Sequence, residues 1–262
     1  MNDRQAILPV LSDVTLVAIT SVAIRATVDA LQASMERARF GEILLLSDQP
    51  PPAGTPSDVY WRQIERLASR ADYSRFMLCD LAQHIDTSHA LCVQWDGFVV
   101  NGGAWDPEFL RYDYIGAVWP HFHDGHNVGN GGFSLRSKRL LEACRELPFD
   151  GSDAEDLIIS RRFRPQLEER GIRFAPESVA RRFAFERTAP TGREFGFHGA
   201  YNLARRVSPD DAARVLRHLD PGMLARNEVL ELLWWALTRG RLRLAATMIA
   251  RLRMMRKPDP GR

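Results

Sequence analysis

The 262-residue sequence has no apolar run of the roughly eighteen residues that a membrane-spanning helix requires. Its first residues also lack the basic, apolar and small-residue succession of a secretory signal. Both absences make a cytoplasmic location the expectation. Cysteine is scarce: Cys79, Cys92 and Cys144 are odd in number and sit in apolar patterns rather than at metal-ligand spacing. They read as buried free thiols of a reducing compartment. An excess of one charge is missing too, because the net charge is only +2, so nothing demands a nucleic-acid partner. Neither a Gly-x-Gly-x-x-Gly loop nor a Walker A loop occurs, which disfavours dinucleotide and P-loop binding. What is present is ordinary for a globular domain: 45% hydrophobic and 26% charged residues, in a chain long enough for a full core.

The informative stretch is Gly129-Asn130-Gly131-Gly132-Phe133-Ser134-Leu135-Arg136-Ser137, followed by Glu155-Asp156-Leu157-Ile158-Ile159. Three glycines in four residues let backbone approach a ligand where a Cβ would collide. The alternation after them reads as the strand that this loop feeds. Glu155-Asp156 open a helical pattern, where the positive end of the dipole favours a carboxylate. Asp156 is therefore a candidate general base.

In chain order, Val14 to Ile19 reads as a buried parallel strand and stops at Thr20-Ser21. The pattern predicts a helix through Arg39, ended by Gly41, then a strand from Glu42 to Leu46 closing on Ser47-Asp48. This is β-α-β, the opening of a doubly wound sheet, and ligands collect beyond the carboxyl ends of such strands. A helix over Tyr73 to Ile85 and a strand over Ala90 to Val93 lead to Gln94-Trp95-Asp96-Gly97-Phe98. From local pattern alone Asp96 reads equally as a turn cap and as an acid at the ligand edge, and Trp95 as a core residue.

A short strand within Tyr112 to Ala117 precedes the loop Trp119 to Val128. His121, His123 and His126 on that loop fall short of a zinc site, which wants four ligands and commonly cysteine. A polar, mobile lid over the cleft is expected instead. Helices over Lys138 to Leu147 and Leu157 to Arg170, and a last strand over Gly171 to Pro176, come next. His198, between Phe197 and Gly199, reads as an imidazole held at close quarters. Ser208-Pro209-Asp210-Asp211 looks like a helix N-cap with proline at the first position, and the pattern is helical from there to Arg256. The apolar residues Leu230, Leu233, Trp234, Leu237, Leu242, Leu244 and Met248 lie among arginines. They offer either packing against the preceding domain or a docking face for an anionic membrane or a partner domain.

The β-α-β opening, the acid after a mid-chain strand, the glycine-rich loop, the Glu-Asp pair opening a helix and the late histidine together resemble glycosyltransferases of the GT-A fold. In particular, Gln94 to Phe98, Gly129 to Arg136, Glu155-Asp156 and Phe197-His198-Gly199 are similar to motifs of a bacterial glycosyltransferase-like family of the DUF5672 type. A more distant similarity is to the metal-dependent β-galactosyltransferases. The resemblance covers about residues 12 to 203 and implies a mixed, mainly parallel α/β sheet flanked by helices, spanning residues 1–205, plus a C-terminal helical region, 206–262.

It further implies a metal-dependent transferase that moves a sugar from a nucleotide-diphosphate donor, a uridine one, to a hydroxyl acceptor such as a bacterial surface glycan. Asp96 and His198 would then be the metal ligands for Mn²⁺ or Mg²⁺ and Asp156 the base of an inverting hexosyl transfer. Glu155, Gln94, Trp95, Asn130, Gly131 and Gly132 would bind substrate. Thr20, Ser21, Arg25, Ser47, Asp48 and Arg75 would bind the nucleotide. The Asp-x-Asp motif of GT-A enzymes is matched here by Gln94-Trp95-Asp96, so its first acid is missing. That departure keeps open a catalytically inactive sugar-nucleotide-binding or scaffold protein, beside a metal-dependent nucleotidyltransferase or phosphohydrolase.

Overall fold

The computed structural model describes residues 8–206 and 223–255, together with 212, 215, 216 and 219. The chain divides into two compact units, Met1–His198 and Gly199–Arg262. In the first, strands β1 (Val10–Ile19), β2 (Arg39–Ser47), β3 (Tyr60–Gln63), β4 (His89–Val93), β5 (Tyr114–Ile115) and β8 (Phe133–Ser137) form a six-stranded sheet of order β3-β2-β1-β4-β8-β5. β3, β2, β1 and β4 run parallel, and β8 is antiparallel to both its neighbours. This is the expected mixed, mainly parallel sheet.

Successive residues of a strand point to opposite faces, and β1 divides its side chains between two layers accordingly. Val14, Leu16 and Ala18 face one layer with Val28 and Leu31 of α1 (Ile24–Met35). Val17 and Ile19 face the other with Phe76, Met77 and Leu81. Those residues belong to a helical stretch that begins as α2 (Arg70–Arg75), widens to a π turn (Phe76–Asp80) and tightens to a 3-10 turn (Leu81–His84). A near-continuous apolar strand is thus the signature of a sheet covered on both sides.

Three local expectations need correction. α1 ends at Met35, short of Arg39, because Arg39 and Phe40 pair with Val10 and Leu11 at the start of β1. Gly41 therefore lies inside β2 and caps nothing. A Cβ there would stand 2.1 Å from the Ser12 carbonyl oxygen, beside the register shift between Leu11 and Thr15, so the close approach of two backbones is what requires glycine. Gly171 to Pro176 makes no strand. Phe174 forms a single bridge with Tyr114, and the chain then turns into α6 (Glu177–Phe183), whose first-turn Glu177 pairs with Arg181 one turn on.

The helix expected over Lys138 to Leu147 is α3 (Lys138–Cys144). The one expected over Leu157 to Arg170 begins earlier, as α4 (Glu155–Leu157), passes through a π turn (Ile158–Arg162) and resumes as α5 (Arg164–Glu169). Two short antiparallel strands, β6 (Ala117–Val118) and β7 (Val128–Gly129), make a hairpin whose tip is the histidine-bearing loop. Two short parallel strands, β9 (Ala184–Phe185) and β10 (Gly196–Phe197), close the unit.

Asp113 ties several of these pieces together. Its Oδ1 accepts from Ser137 Oγ (2.6 Å) and Arg139 Nε (3.2 Å), and its Oδ2 from the second Arg139 nitrogen (2.5 Å) and the Arg173 N–H (2.7 Å). Burial alone would raise this carboxyl, but those donors outweigh it and hold it below the ordinary carboxylate range. A carboxyl depressed in the folded state stabilises above its unfolded pKa of about 3.9, and that contribution is lost as pH falls through the folded value. Asp113→Asn is expected to cost about 1.5–3 kcal/mol at neutral pH and to flatten this part of the acid limb. A wild-type melting temperature across pH 3–7 would contradict the assignment.

The second unit contains α7 (Ala200–Arg206), α8 (Arg226–Thr238) and α9 (Leu242–Met254). Buried Arg251 donates to the carbonyls of Leu216 (2.6 Å) and Leu219 (2.7 Å), and Leu244 and Met248 of the same helix are buried as well. Leu230, Trp234, Leu237 and Leu242 are exposed. The cap expected at Ser208 to Asp211 and the end of the helical pattern at Arg256 lie outside the described residues. No helix among the described residues is long and apolar enough to cross a membrane. Cys92 and Cys144 are buried and Cys79 partly so, all as free thiols.

Candidate active site

The chain runs from β1 to β2 to β3 on one side of β1 and returns to place β4 on the other. The carboxyl ends of β1 and β4 thus mark the point where strand order reverses, the usual place for a ligand crevice. Past β4, Gln94 and Gly97 exchange two backbone hydrogen bonds of 3.0 Å, a tight turn that carries Trp95 and Asp96. β9 and β10 repeat the device on a smaller scale. Glu186 follows the end of β9, His198 follows the end of β10, and the His198 N–H donates to the Phe185 carbonyl at 3.0 Å.

The Gln94–Gly97 turn and the ends of β9 and β10 bring their side chains together around one imidazole. His198 Nε2 lies 3.5 Å from Asp96 Oδ1 and 3.3 Å from Gln94 Oε1, and Nδ1 lies 3.6 Å from Glu186 Oε1. Burial would push the imidazole's pKa down, but the Asp96 and Glu186 carboxylates overcome it and raise the value to about 10. In this state His198 is an imidazolium between two carboxylates. Asn130 Nδ2 stands 3.0 Å from Nδ1, a close approach of two donors that follows from both serving the Glu186 carboxylate.

Each neighbour is itself held. Asn130 has a left-handed backbone (φ 81°), and its Oδ1 accepts from the N–H groups of Gly132 (2.9 Å) and Phe133 (3.2 Å). The Gln94 amide donates to the Tyr73 hydroxyl at 3.0 Å, which turns its carbonyl oxygen towards His198. A Cβ on Gly132 would come within 2.1 Å of His198 Nε2, so the loop lies flush on the imidazole only because this residue is glycine.

On the other side of the loop, Glu155 and Asp156 do different things. Glu155 is 5% exposed and pairs at 3.0 Å with fully buried Arg136 of β8, while its N–H donates to Ser74 Oγ at 3.2 Å. A guanidinium keeps its proton, so Glu155 is committed as the counter-charge. A Cβ on Gly131 would stand 1.9 Å from its Oε1. Asp156 is half-buried; its Oδ2 accepts from the Gly131 N–H at 3.0 Å and its Oδ1 from the Leu157 N–H at 2.8 Å.

Gln94, Asn130, Gly131, Gly132, Glu155, Asp156 and His198 line one cleft of about 370 Å³, together with Glu186, Trp119 and His121. Asp96 meets it through His198, and Trp95 is partly exposed on the neighbouring turn and does not line it. The residues assigned to the nucleotide stand apart from this cluster. Thr20 follows the end of β1, and Ser47 ends β2 with Asp48 after it, on the same sheet edge as Gln94. Thr20 Oγ1 accepts from the Val22 N–H (3.0 Å), Ser21 Oγ from the Leu67 N–H (2.8 Å), and Ser47 Oγ from the Trp61 indole (3.0 Å). Asp48 Oδ1 is buried without a hydrogen bond among the described residues. Arg25 donates to the Ala53 carbonyl at 3.1 Å, and Arg75 lines a second cavity of about 520 Å³.

Whether these residues suit a divalent cation is a question of donor chemistry. Among the described residues no three His, Cys, Asp or Glu side chains are grouped to hold a metal ion. Asp96 Oδ1, Gln94 Oε1 and His198 Nε2 nevertheless face one another, a carboxylate, an amide carbonyl and an imidazole. Glu186 sits on the far ring nitrogen, where a carboxylate partner ordinarily orients a metal-bound histidine. With one negative protein ligand the set fits a hard cation shared with a polyanionic substrate, and not a closed protein site.

Glu186, Tyr73 and Arg136 are the members that the sequence did not reveal. Glu186 had a local signal, an acid ending the Phe183-Ala184-Phe185 alternation just as Asp96 ends β4, and Arg136 closes the Gly129 to Arg136 motif, but neither was assigned a role.

The family described as "Protein of unknown function (DUF5672)" matches residues 59–198, a segment that contains every residue around the imidazole. Among solved structures the chain is similar to the galactosyltransferase LgtC in complex with donor and acceptor sugar analogs, at 10% identity and a TM-score of 0.43, over 78% of this chain and 96% of that one. An active-site mutant of LgtC gives 11% identity and a TM-score of 0.45 over 78% and 94% of the two chains. A glycosyltransferase involved in the glycosylation of the major capsid of PBCV-1 gives 14% and 0.36 over 58% and 77%. No curated protein matches the chain significantly.

Proposed function

The chain belongs to the DUF5672 family, and from the cleft that its matched segment encloses we propose that it is a glycosyltransferase, moving a sugar from a nucleotide-diphosphate donor to a hydroxyl acceptor. The observation that carries this reading is the pairing, in one cleft at the carboxyl edge of the sheet, of the Gln94–Asp96–His198 cluster with a separate carboxylate, Asp156. The motifs that resemble GT-A enzymes fall on these same residues. By that resemblance the donor is a uridine diphosphate sugar, with Thr20, Ser47 and Asp48 along the strand edge as candidate contacts to the nucleoside.

Asp96, Gln94 and His198 would hold Mn²⁺ or Mg²⁺, and the ion when bound neutralises the departing diphosphate. Glu186 orients His198, and Tyr73 orients Gln94. Asp156 is the general base of an inverting transfer. A carboxylate has about four lone-pair sites, and backbone N–H groups take two of them here, which leaves capacity for an acceptor hydroxyl. As the acceptor oxygen bonds to the anomeric carbon, its proton passes to Asp156, and the bond to the diphosphate breaks with the electron pair leaving on the diphosphate. Glu155 is excluded from that role by its ion pair with Arg136.

A thermal-shift screen of nucleotide sugars, with and without Mn²⁺, tests the donor half of the reading. A donor at a hundred times its dissociation constant should stabilise the fold by about 2.7 kcal/mol. With a single protein carboxylate among the ligands, the shift should need donor and metal together. A screen in which no nucleotide sugar shifts melting would sink the proposal.

A further inference from the structure

The cleft wall formed by Trp119 and His121 belongs to the tip of the β6–β7 hairpin, residues 119–128, expected from sequence to be a mobile lid. Arg161 reaches this tip from the π turn that continues α4, so the element that carries Asp156 also carries the contact. Its guanidinium donates to both Asp124 oxygens, at 2.8 and 2.7 Å, and to the His126 carbonyl at 2.7 Å. Its carbon lies 3.9 Å from the centroid of the Phe122 ring. Asp124 Oδ1 also accepts the His126 N–H at 3.1 Å, and Asn127 Nδ2 donates to Glu177 Oε2 at 2.6 Å. The base from which Arg161 projects is stiff, because Ile158, Ile159 and Ser160 are buried. π turns of this kind occur frequently at functional sites.

We propose that Arg161 is a positioning residue that clamps the 119–128 tip, so that Trp119 and His121 form a fixed wall of the cleft on the side where the acceptor meets Asp156. The acceptor part rests on the glycosyltransferase reading; the clamp does not. Only a planar fork can bond both Asp124 oxygens and stack on Phe122 at once, so lysine is not an adequate replacement.

The test compares full-length wild type with Arg161→Ala, Arg161→Lys, Asp124→Asn and the Arg161→Ala/Asp124→Asn pair. Amide hydrogen exchange across 119–128 reads the clamp, and acceptor KM, kcat and donor affinity read its use. Arg161→Ala should speed exchange in the tip about tenfold or more, since charge-assisted bonds are among the stronger ones. Acceptor KM should rise about as much, with kcat and donor affinity within about twofold. Arg161→Lys should resemble Arg161→Ala more than wild type, and the pair should be no worse than Arg161→Ala alone, because both remove one interaction. Unaltered exchange in Arg161→Ala, additive effects in the pair, or a loosened tip with unchanged acceptor KM would each overturn the proposal. A wild type without transfer would count against the glycosyltransferase reading, while the exchange comparison still decides the clamp.

Discussion

Asp156→Asn is expected to lower sugar transfer by about 10²- to 10⁴-fold, the usual cost of removing a general base, while donor binding stays nearly unchanged. Asp156 bonds the Gly131 and Leu157 N–H groups and takes no part in the contacts of His198 with Gln94, Asp96 and Glu186, so the substitution leaves that cluster alone. An asparagine carbonyl can still accept the Gly131 N–H that Asp156 now takes at 3.0 Å, so the glycine loop keeps its place. What is lost is the capacity to take a proton. A residue that served only to cap α4 and pin the loop would behave differently, with about 1 kcal/mol of stability lost and transfer little changed. Wild-type turnover with a lowered melting temperature would end the catalytic assignment.

Asp96→Ala is expected to abolish metal-dependent donor binding and with it the stabilisation of about 2.7 kcal/mol that saturating donor should give. Asp96 brings a carboxylate to within 3.5 Å of the His198 nitrogen that Gln94 also faces. Gln94 contributes a neutral carbonyl and cannot replace the charge. His198 keeps its second carboxylate, Glu186, at 3.6 Å, so the imidazole is not left buried without a partner, and the fold should survive. Mn²⁺-dependent binding of the nucleotide diphosphate at wild-type strength in this variant would remove Asp96 from the site.

Much of this was legible in the sequence where the cause is local. The apolar runs of β1 and β4 and the glycine-rich loop each declare themselves within a few residues, and the sheet order is then left with few choices, whereas the acid after β4 reads locally as a turn cap just as well. The pairing of Glu155 with Arg136, beside the Asp156 that the sequence already set apart, was not legible. It depends on Arg136, whose place beneath Gly131 is fixed only when β8 pairs with β4. Glu186 and Tyr73 were hidden for the same reason, since each matters through a side chain brought to it by another element. Gly41 misled because glycine after a helical pattern ordinarily caps it, and here strand pairing with Val10 and Leu11 claimed the residues first. The segment leading into α6 has the look of a short strand, with Ile172 and Phe174 alternating, yet it forms a single bridge to Tyr114.

The most direct test of the central claim is product analysis after incubating the protein with Mn²⁺, a uridine diphosphate sugar labelled in the sugar, and a panel of saccharide acceptors. The expected result is label joined to an acceptor hydroxyl, with release of the nucleoside diphosphate in equal amount and with inverted anomeric configuration. Release of nucleoside monophosphate or inorganic phosphate without labelled acceptor would instead identify a phosphohydrolase or nucleotidyltransferase and contradict the glycosyltransferase assignment.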